Sequence, residues 1–276
     1  MSTATATPST ASVPTAKGKV TQLRVLNSEW IKLRTLRSTP ITLAVAFAIM
    51  VGLGTLITYV HASHPDHHGH TELINGAELS LAMYRLAQLA IGVLGVLVIS
   101  GEYSTGMIRA SLSAVPKRLP VLWAKAAVFA GSVLVLMTAA SVIAFYIGQA
   151  ILSSYPAGGA VKMSDPGVAR VVFGTALYLT VVGLLGVALG ALIRNAAGAI
   201  AILFGVLLVL PALSDLLPAS WAPHVVPYLP SEAGGALLNV VPDPTAMAPW
   251  NGFALMVGYA VVLLAAAAVM LKRRDA

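Results

Sequence analysis

Long apolar runs alternate with short polar segments along most of this chain. The runs lie at 41–60, 79–100, 121–150, 169–193, 196–213 and 251–271. A helix of about 20 apolar residues crosses the ~30 Å hydrocarbon core of a membrane. The pattern therefore predicts an all-α, polytopic membrane protein with six transmembrane helices. Because the third run is longer than a bilayer needs, we expect its helix to tilt or to project from the membrane.

The chain before the first apolar run has two other patterns. Residues 1–19 are mainly Ser, Thr, Ala and Pro, so we expect a disordered tail there and no signal peptide. Further on, apolar residues recur at steps of three and four, with basic residues mostly on the other faces. The apolar residues are Leu23, Leu26, Trp30 and Leu33. This spacing predicts a basic amphipathic helix that lies at the membrane interface.

Composition excludes a water-soluble fold. The chain of 276 residues is 58% hydrophobic and 10% charged, and its mean hydropathy is +0.85. Soluble domains carry about 25% charged residues, so this chain has too few to cover a surface in water. Cysteine is absent, which excludes disulfides, thiolate metal sites and cysteine nucleophiles. We expect no cofactor.

The positions of the charged residues predict the orientation of the chain. The net charge of +7 would suggest a nucleic-acid partner in a soluble protein, but here its distribution matters more than its sign. Lysine and arginine cluster before the first span, in the segment 101–118, at Lys125 and Arg194, and after the last span, whereas the other polar segments are mainly acidic. Positive residues mark the cytoplasmic side. We therefore expect both termini in the cytoplasm, a location in the plasma membrane and no nucleic-acid partner.

Two segments are predicted to lie outside the cell. The segment 214–250 is rich in proline and cannot form one long helix, so we expect short helices on or in the outer leaflet. The other segment, 61–77, is rich in histidine. Its candidate metal ligands are His61, His64, His67, His68 and His70, with Asp66. Imidazole and carboxylate groups bind divalent metals, but this spacing matches no specific site. Solvated histidines are the favoured interpretation, and the metal hypothesis stays open.

Motifs for catalysis are absent from the sequence. No lysine is followed by serine or threonine, which excludes a P-loop for nucleotide binding. The HExxH motif of zinc proteases and the GxSxG motif of hydrolases are also absent. No carboxylate falls in the middle of a predicted span, which argues against an intramembrane acid pair or proton relay. We therefore expect no enzyme activity, and any energy source must lie on another chain.

A polar segment at 101–118 joins the second and third predicted spans. Ile108 and Leu112 are four residues apart and predict a short amphipathic helix that ends at Pro116. A segment held between two spanning helices cannot move independently of them, so a protein bound to it can push or pull the membrane part. The pattern alone favours an ordinary cytoplasmic turn.

The residues of this segment resemble a known family. Gly101-Glu-Tyr-Ser-Thr-Gly106 and its flanks closely resemble the type-2 ATP-binding-cassette (ABC) exporter permeases of actinobacterial kind. The segment 27–37 looks like the interfacial helix of that family, and 230–239 is similar to its outer segment before the last helix. The resemblance covers nearly the whole permease domain that we assign to 20–276, with six helices in the family's order.

The resemblance implies a permease subunit that uses ATP hydrolysis on another chain for export. It would pair with a second permease, identical or different, and with two copies of an ATP-binding subunit. The 101–118 segment would be the coupling helix that contacts this subunit. The contact residues implied by the family are Glu102, Tyr103, Ser104, Thr105, Gly106, Ile108 and Arg109. Those of the interfacial helix that would brace the contact are Glu29, Trp30 and Lys32.

Arg85 is a charged residue inside the second predicted span. Glu78 is seven residues earlier, which is about two helical turns away on the same face. Long cationic side chains often reach the headgroup layer, which is the favoured interpretation of Arg85. The alternative is that Arg85 lines the exit path of a transported compound. Since the spans offer no evident charged binding site, that compound is expected to be hydrophobic or amphipathic.

Small residues are spaced for close helix packing in two of the spans. Gly183, Gly186 and Gly190 predict close packing of the fourth span, and packing within the chain is favoured over a dimer seam. Gly198 and Gly205 are expected to act in the same way in the fifth span. Pro211 should kink or end that helix.

A function of another class also fits the sequence. The chain would then be a membrane anchor or sensor that transports nothing and recruits a cytoplasmic partner through the 101–118 segment. A third possibility, an intramembrane enzyme, would need converging buried polar groups, and the sequence shows few of them. The stimulation of a partner's ATP turnover by this chain distinguishes transport from anchoring.

Overall fold

The described part of the chain is built from helices, as predicted. The computed structural model describes residues 22–36, 38–64, 75–104, 118–156, 158–214, 216–218 and 220–274. Its helices are α1 (Gln22–Thr35), α2 (Ser38–Ser63), α3 (Gly76–Tyr103), α4 (Leu119–Ser153), α5 (Val168–Ile193), α6 (Ala196–Ser214), α7 (Ala222–Val225), α8 (Pro230–Gly235) and α9 (Pro249–Arg273). No strand occurs among these residues.

Six of these helices are long and apolar enough to cross a membrane, which confirms the predicted number. They are α2, α3, α4, α5, α6 and α9. Each predicted apolar run lies inside one of them. The 35 residues of α4 correspond to roughly 50 Å of helix. This helix is therefore longer than the hydrocarbon core, and at least one of its ends must lie in the headgroup region or beyond.

The centre of the bundle is α5. Sixty-seven per cent of its most apolar stretch is buried inside the protein, compared with 17% for α6. It packs against α3, α4 and α9 around a core that contains Ile91, Phe129, Tyr178 and Met256. The helices at the periphery of the bundle leave large apolar side chains exposed. Such faces suit lipid tails, which are as apolar as leucine.

Glycine residues bring α3 and α5 into close contact, as predicted for α5. A β-carbon on Gly186 would clash with the carbonyl oxygen of Gly92, and one on Gly190 would lie 2.8 Å from the carbonyl oxygen of Val96. The prediction for α6 is wrong. Gly205 has open space around it, and Gly198 has only ordinary van der Waals contacts with nearby residues of its own chain segment.

Three spanning helices depart from regular α-helix in ways that were not predicted. In α2, a π-helical stretch occupies Ile49–Leu53. In α3, a turn at 82–83 separates Gly76–Leu81 from Tyr84–Ser104. The predicted alignment of Glu78 with Arg85 is therefore interrupted. In α6, a π-helical stretch at Gly205–Val209 precedes Pro211, and the helix continues to Ser214. Proline lacks the N–H group of a regular helical hydrogen bond, and the wider turn before it changes the bonding pattern locally.

Short helices follow α6, as expected for the proline-rich segment 214–250, which we call the outer segment after its predicted side of the membrane. Besides α7 and α8, this segment contains the 3₁₀ turns Val226–Tyr228 and Ala236–Leu238. Two charged side chains attach it to the bundle. Arg170 donates hydrogen bonds to the carbonyl oxygens of Asn239 (2.7 Å) and Val240 (3.0 Å). The carboxylate of Glu78 accepts a hydrogen bond from the backbone N–H of Val240.

Some predictions fall outside the described residues. They are the tail at 1–19, the middle of the His-rich segment with His67, His68 and His70, and the amphipathic helix around Ile108 and Leu112. No group of three or more potential metal ligands occurs in the part of the chain that the structure describes. The metal hypothesis for the His-rich segment therefore stays a hypothesis.

Candidate functional site

Helix α1 lies against the beginning of α4. Val25 of α1 packs with Val121 and Ala124 of α4 in a small apolar cluster. The face of α1 that is buried in the protein carries Val25 and Glu29, whereas Trp30 of the predicted apolar stripe is half-exposed. Helix α1 therefore has one face that packs against the bundle and a second, apolar edge that is exposed.

The buried face of α1 contributes to a cluster of four charged residues. They are Glu29 and Lys32 of α1, Glu102 of α3 and Lys125 of α4, and we call them the charge cluster. The Lys125 ammonium is 2.6 Å from Glu29 Oε2 and 2.9 Å from Glu102 Oε1. The Lys32 ammonium is 2.7 Å from Glu29 Oε1 and 3.3 Å from Glu102 Oε1. Each acidic group thus contacts both basic groups.

Three members of the charge cluster are almost inaccessible to water. The exposed fractions are 4% for Glu29 and 5% for both Glu102 and Lys125, whereas the Lys32 side chain is 33% exposed. Buried ions are stable only when each has an opposite charge and hydrogen bonds. The ion pairs of the cluster therefore hold α1, α3 and α4 together, and the loss of one member would leave a buried charge without its partner.

The electrostatics of α1 agree with this arrangement. Burial alone would raise the pKa of Glu29, but the nearby Lys125 and the hydrogen bonds from Lys125 and Lys32 hold it below its ordinary value. Burial would likewise lower the pKa of Lys32, but the hydrogen bond to Glu29 and the charge of Glu102 raise it. Both groups are therefore held in their charged forms.

A second contact fixes the end of α3. The guanidinium of Arg194, in the turn between α5 and α6, lies 5.0 Å from the centre of the Tyr103 ring. Arg194 has a left-handed backbone conformation with φ of 57°, which ends α5 before α6 begins. Cation–π contacts of this length are attractive. The last turn of α3 is therefore held on one side by the charge cluster and on another by the α5–α6 turn.

The sequence from α1 to α6 matches a known family. The model of the ABC-2 family transporter protein matches residues 25–212, which include every member of the charge cluster. The chain belongs to the ABC-2 transporter family. A comparison with curated proteins gave no significant match. The family resemblance predicted from the sequence is thus confirmed, and the chain is a membrane component of an ABC transporter rather than its nucleotide-binding subunit.

The structure brings some of the permease's predicted site residues together. Lys32 of the predicted interfacial helix contacts Glu102 of the 101–118 segment, and Glu29 is joined to Glu102 through Lys32 and Lys125. The bracing role of Glu29, Trp30 and Lys32 stays a prediction. Trp30 is not in the charge cluster. Thr105, Gly106, Ile108 and Arg109 lie outside the described residues, and of Ser104 only the backbone is described. Their role as the contact with an ATP-binding subunit stays a prediction.

Lys125 is the member of the charge cluster that sequence reasoning missed. In the sequence it counted only as one of many basic residues on the cytoplasmic side. A signal was nevertheless present, because Glu29 follows Val25 by one helical turn and so falls on a face that packs against protein. An acidic residue on a buried face of a permease helix requires a cation.

A small cavity of about 250 Å³ adjoins the charge cluster. Its walls are Leu33 from α1, Leu36 just after the end of α1, and Leu94, Leu97 and Val98 from α3. Glu102 also lines it, and among the described residues its Oε2 atom is buried without a hydrogen-bond partner. The cavity leaves space between α1 and α3 beside the charge cluster.

Proposed function

We propose that this permease is the membrane subunit of an ATP-driven exporter. It functions with a second permease, identical or different, and with two copies of an ATP-binding subunit. The compound exported is hydrophobic or amphipathic. Family membership supports the ATP-binding partner, and the absence of a P-loop from the sequence agrees with a division of the work between two chains.

We infer that the charge cluster transmits movement from the 101–118 segment to the helices that it joins. The cluster lies where α3 enters the 101–118 segment and where α4 leaves it, and it also holds α1. A protein that moves this segment would therefore move three helices together. Ser104, Thr105, Gly106, Ile108 and Arg109 would contact the ATP-binding subunit, while the nearly buried Glu102, together with Tyr103, would connect this contact to the bundle.

The proposed function also requires one orientation of the permease in the membrane. The charge cluster and the 101–118 segment lie on the cytoplasmic side of the plasma membrane, together with both termini. The distribution of basic residues supports this topology. ATP binding would shift the permease between two states only if the partner binds them with different affinity. The ATP-binding subunits must therefore contact the segment differently before and after nucleotide binding.

The test uses the permease in lipid nanodiscs with an ATP-binding subunit identified by co-purification with it. We expect the permease to stimulate ATP turnover by the subunit. The variant Lys125→Met leaves two buried carboxylates with one shared cation, so stimulation should fall by about tenfold, the size of a typical coupling between sites. The double variant Glu102→Gln with Lys125→Met restores neutrality and should recover part of the stimulation.

Lys162→Met is the matched control, because it removes an exposed lysine between α4 and α5 that has no part in the charge cluster. We expect it to stimulate ATP turnover like the wild type. A permease that binds the ATP-binding subunit without changing its turnover would contradict export and would favour the anchor or sensor function.

A further inference from the structure

A large cavity lies at the other end of the bundle from the charge cluster. It has a volume of about 1040 Å³, is lined by α3, α5, α6 and the outer segment, and is partly open to its surroundings. Cavities that bind small molecules are typically about 300–1,000 Å³, so this one has room for a compound of drug size or for part of a lipid. We call it the outer cavity.

One end of the outer cavity is polar. Tyr84, Arg85 and Gln88 reach it from α3, and Tyr178 reaches it from α5. The Tyr178 hydroxyl donates a hydrogen bond of 2.7 Å to Gln88 Oε1, and the ring of Tyr84 packs edge-on against Tyr178 at 5.5 Å between ring centres. These contacts fix the side chains around Arg85 before any ligand is bound.

Arg85 forms no ion pair with an acidic group of the described residues, although Glu232 lies close enough to attract its charge. The Arg85 Nε donates a long hydrogen bond of 3.4 Å to the Tyr84 hydroxyl. An arginine at membrane depth normally pairs with an acidic group or faces water. Arg85 is exposed and presents a planar, multiply donating cation to the outer cavity, which suits the oxygen atoms of a carboxylate or phosphate.

Another part of the outer cavity's lining is apolar. Leu207, Leu208 and Pro211 line it from α6, and Val226 and Pro227 line it from the outer segment. An acyl chain or another apolar group along these walls would be removed from water, which favours binding. The cavity thus combines one cationic end with an apolar length, which is the pattern of an amphiphile with an anionic headgroup.

Two acidic residues of the outer segment also line the cavity. Asp243 is exposed and already accepts hydrogen bonds of 2.7 Å from the backbone N–H and the hydroxyl of Thr245. The Glu232 carboxylate accepts no hydrogen bond from the described residues, but its charge interacts with that of Arg85. It would repel a headgroup with several negative charges, because like charges at short range disfavour binding. The lining therefore favours a headgroup with one negative charge.

The wall that carries Glu232 is held firmly in place. A β-carbon on Gly234 of α8 would lie 2.9 Å from the Tyr178 ring, and one on Gly252 would clash with the carbonyl oxygen of Ala233. Arg170 holds the end of the same segment through Asn239, which also lines the cavity. The outer cavity is therefore formed before a ligand arrives, which lowers the entropic cost of binding.

We propose that the outer cavity binds an amphiphile whose headgroup carries a single negative charge, with that headgroup on Arg85 and the apolar part along α6. This inference rests on the proposed export function and narrows its substrate class. It also changes the expectation that the spans offer no charged binding site, since Arg85 supplies one.

The test measures binding without any ATP-binding subunit, so its result is independent of the proposed coupling to ATP. The purified permease is held in phosphatidylcholine nanodiscs and titrated with dodecanoate that carries a photoreactive diazirine near the end of its chain. Peptide mass spectrometry locates the crosslink, and the labelled fraction gives the half-saturating concentration. We expect saturable labelling of α6 at 207–211 and of the outer segment at 223–227.

Variants of the lining then test the charge. Arg85→Gln should raise the half-saturating concentration by about tenfold, the usual loss for a charge-assisted contact, and Arg85→Lys should retain most of the affinity. Glu232→Gln should bind more tightly than the wild type, a gain that misfolding cannot produce. Lys162→Gln removes an equal charge from an exposed residue that does not line the cavity, and it should bind like the wild type.

Three results would overturn the proposal. In the first, the Arg85→Gln and wild-type proteins bind dodecanoate equally. In the second, a matched cationic probe, dodecyltrimethylammonium with the same diazirine, labels the cavity at lower concentration than dodecanoate does. In the third, Ala212→Trp, which fills part of the cavity, leaves the labelling unchanged. If binding fails while ATP turnover is still stimulated, the substrate class is wrong and the export function stands.

Discussion

At the scale of single residues, Lys125 is the member of the charge cluster that depends most on its ion-pair partners. It is nearly inaccessible to water and contacts both Glu29 and Glu102 at hydrogen-bond distance. Lys32 contacts the same two carboxylates, but its side chain is one-third exposed and reaches water. The two lysines are therefore unequal although they share their partners.

This inequality predicts different effects of two similar substitutions. Lys125→Met should lower the free energy of unfolding by about 3–5 kcal/mol, because it leaves buried carboxylates short of a cation. Lys32→Met should cost roughly 1 kcal/mol, since a partly exposed ion pair contributes little and Lys125 still holds Glu29. Thermal unfolding of both variants in the same detergent measures the difference. Equal losses would show that Lys125 is not the central partner.

The sequence predicted part of the charge cluster. Glu29, Lys32 and Glu102 were named from the resemblance to a family, and the structure places them in contact. Lys125 was missed because 96 residues separate it from Glu29. Helical periodicity describes neighbours three or four residues apart and carries no information on which helices pack together. The apolar stripe of α1 was likewise assigned without knowing that Glu29 faces the bundle.

At the scale of the helices, the close contact between α3 and α5 depends on the absence of side chains. Gly186 of α5 lies against the carbonyl oxygen of Gly92, whereas Gly131 in the middle of α4 has open space around it. The two residues have the same chemistry and both lie within spanning helices. Only their surroundings differ, which makes them a matched pair.

Gly186→Ala should lower the free energy of unfolding by about 1–3 kcal/mol, because the added methyl group forces the two backbones apart. Gly131→Ala should be neutral or should stabilise the protein by up to about 1 kcal/mol, since alanine favours helix more than glycine does. Unfolding curves of the two variants, recorded under identical conditions, test the pair. A destabilised Gly131→Ala protein beside an unaffected Gly186→Ala protein would contradict the packing described for α3 and α5.

Apolar run length was sufficient to predict the six spanning helices but not their irregularities. Each run is long enough to require a helix, since only helices satisfy their own backbone hydrogen bonds in lipid. The turn at 82–83 and the π-helical stretch at Gly205–Val209 leave no trace in a pattern of apolar residues, because the residues there are as apolar as their neighbours. Pro211 was the one visible signal in α6.

At the scale of the whole molecule, the two ends of the bundle are built differently. The end with the charge cluster is held by ion pairs between helices, whereas the other end is held by the outer segment that covers the large cavity. Arg170 and Glu78 attach this segment to the bundle through the backbone of Asn239 and Val240. Loosening the outer segment should therefore leave the charge cluster intact.

Arg170→Gln is expected to loosen the outer segment, because a shorter neutral side chain cannot reach both carbonyl oxygens. Hydrogen–deuterium exchange at 236–245 should become faster by about tenfold, while exchange in α1 stays at the wild-type rate. Glu78→Gln retains an oxygen acceptor for the Val240 N–H and should show a smaller increase. Faster exchange in α1 of the Arg170→Gln protein would mean that the two ends are not independent.

The neutrality of the charge cluster has an electrical consequence. Two acidic and two basic groups lie together, so their formal charges cancel. Carrying one elementary charge through a membrane voltage requires about 2.3 kcal/mol for each 100 mV, but a neutral group does almost none of this work. A change in membrane voltage should therefore exert little net force on the place where the cluster joins α1, α3 and α4.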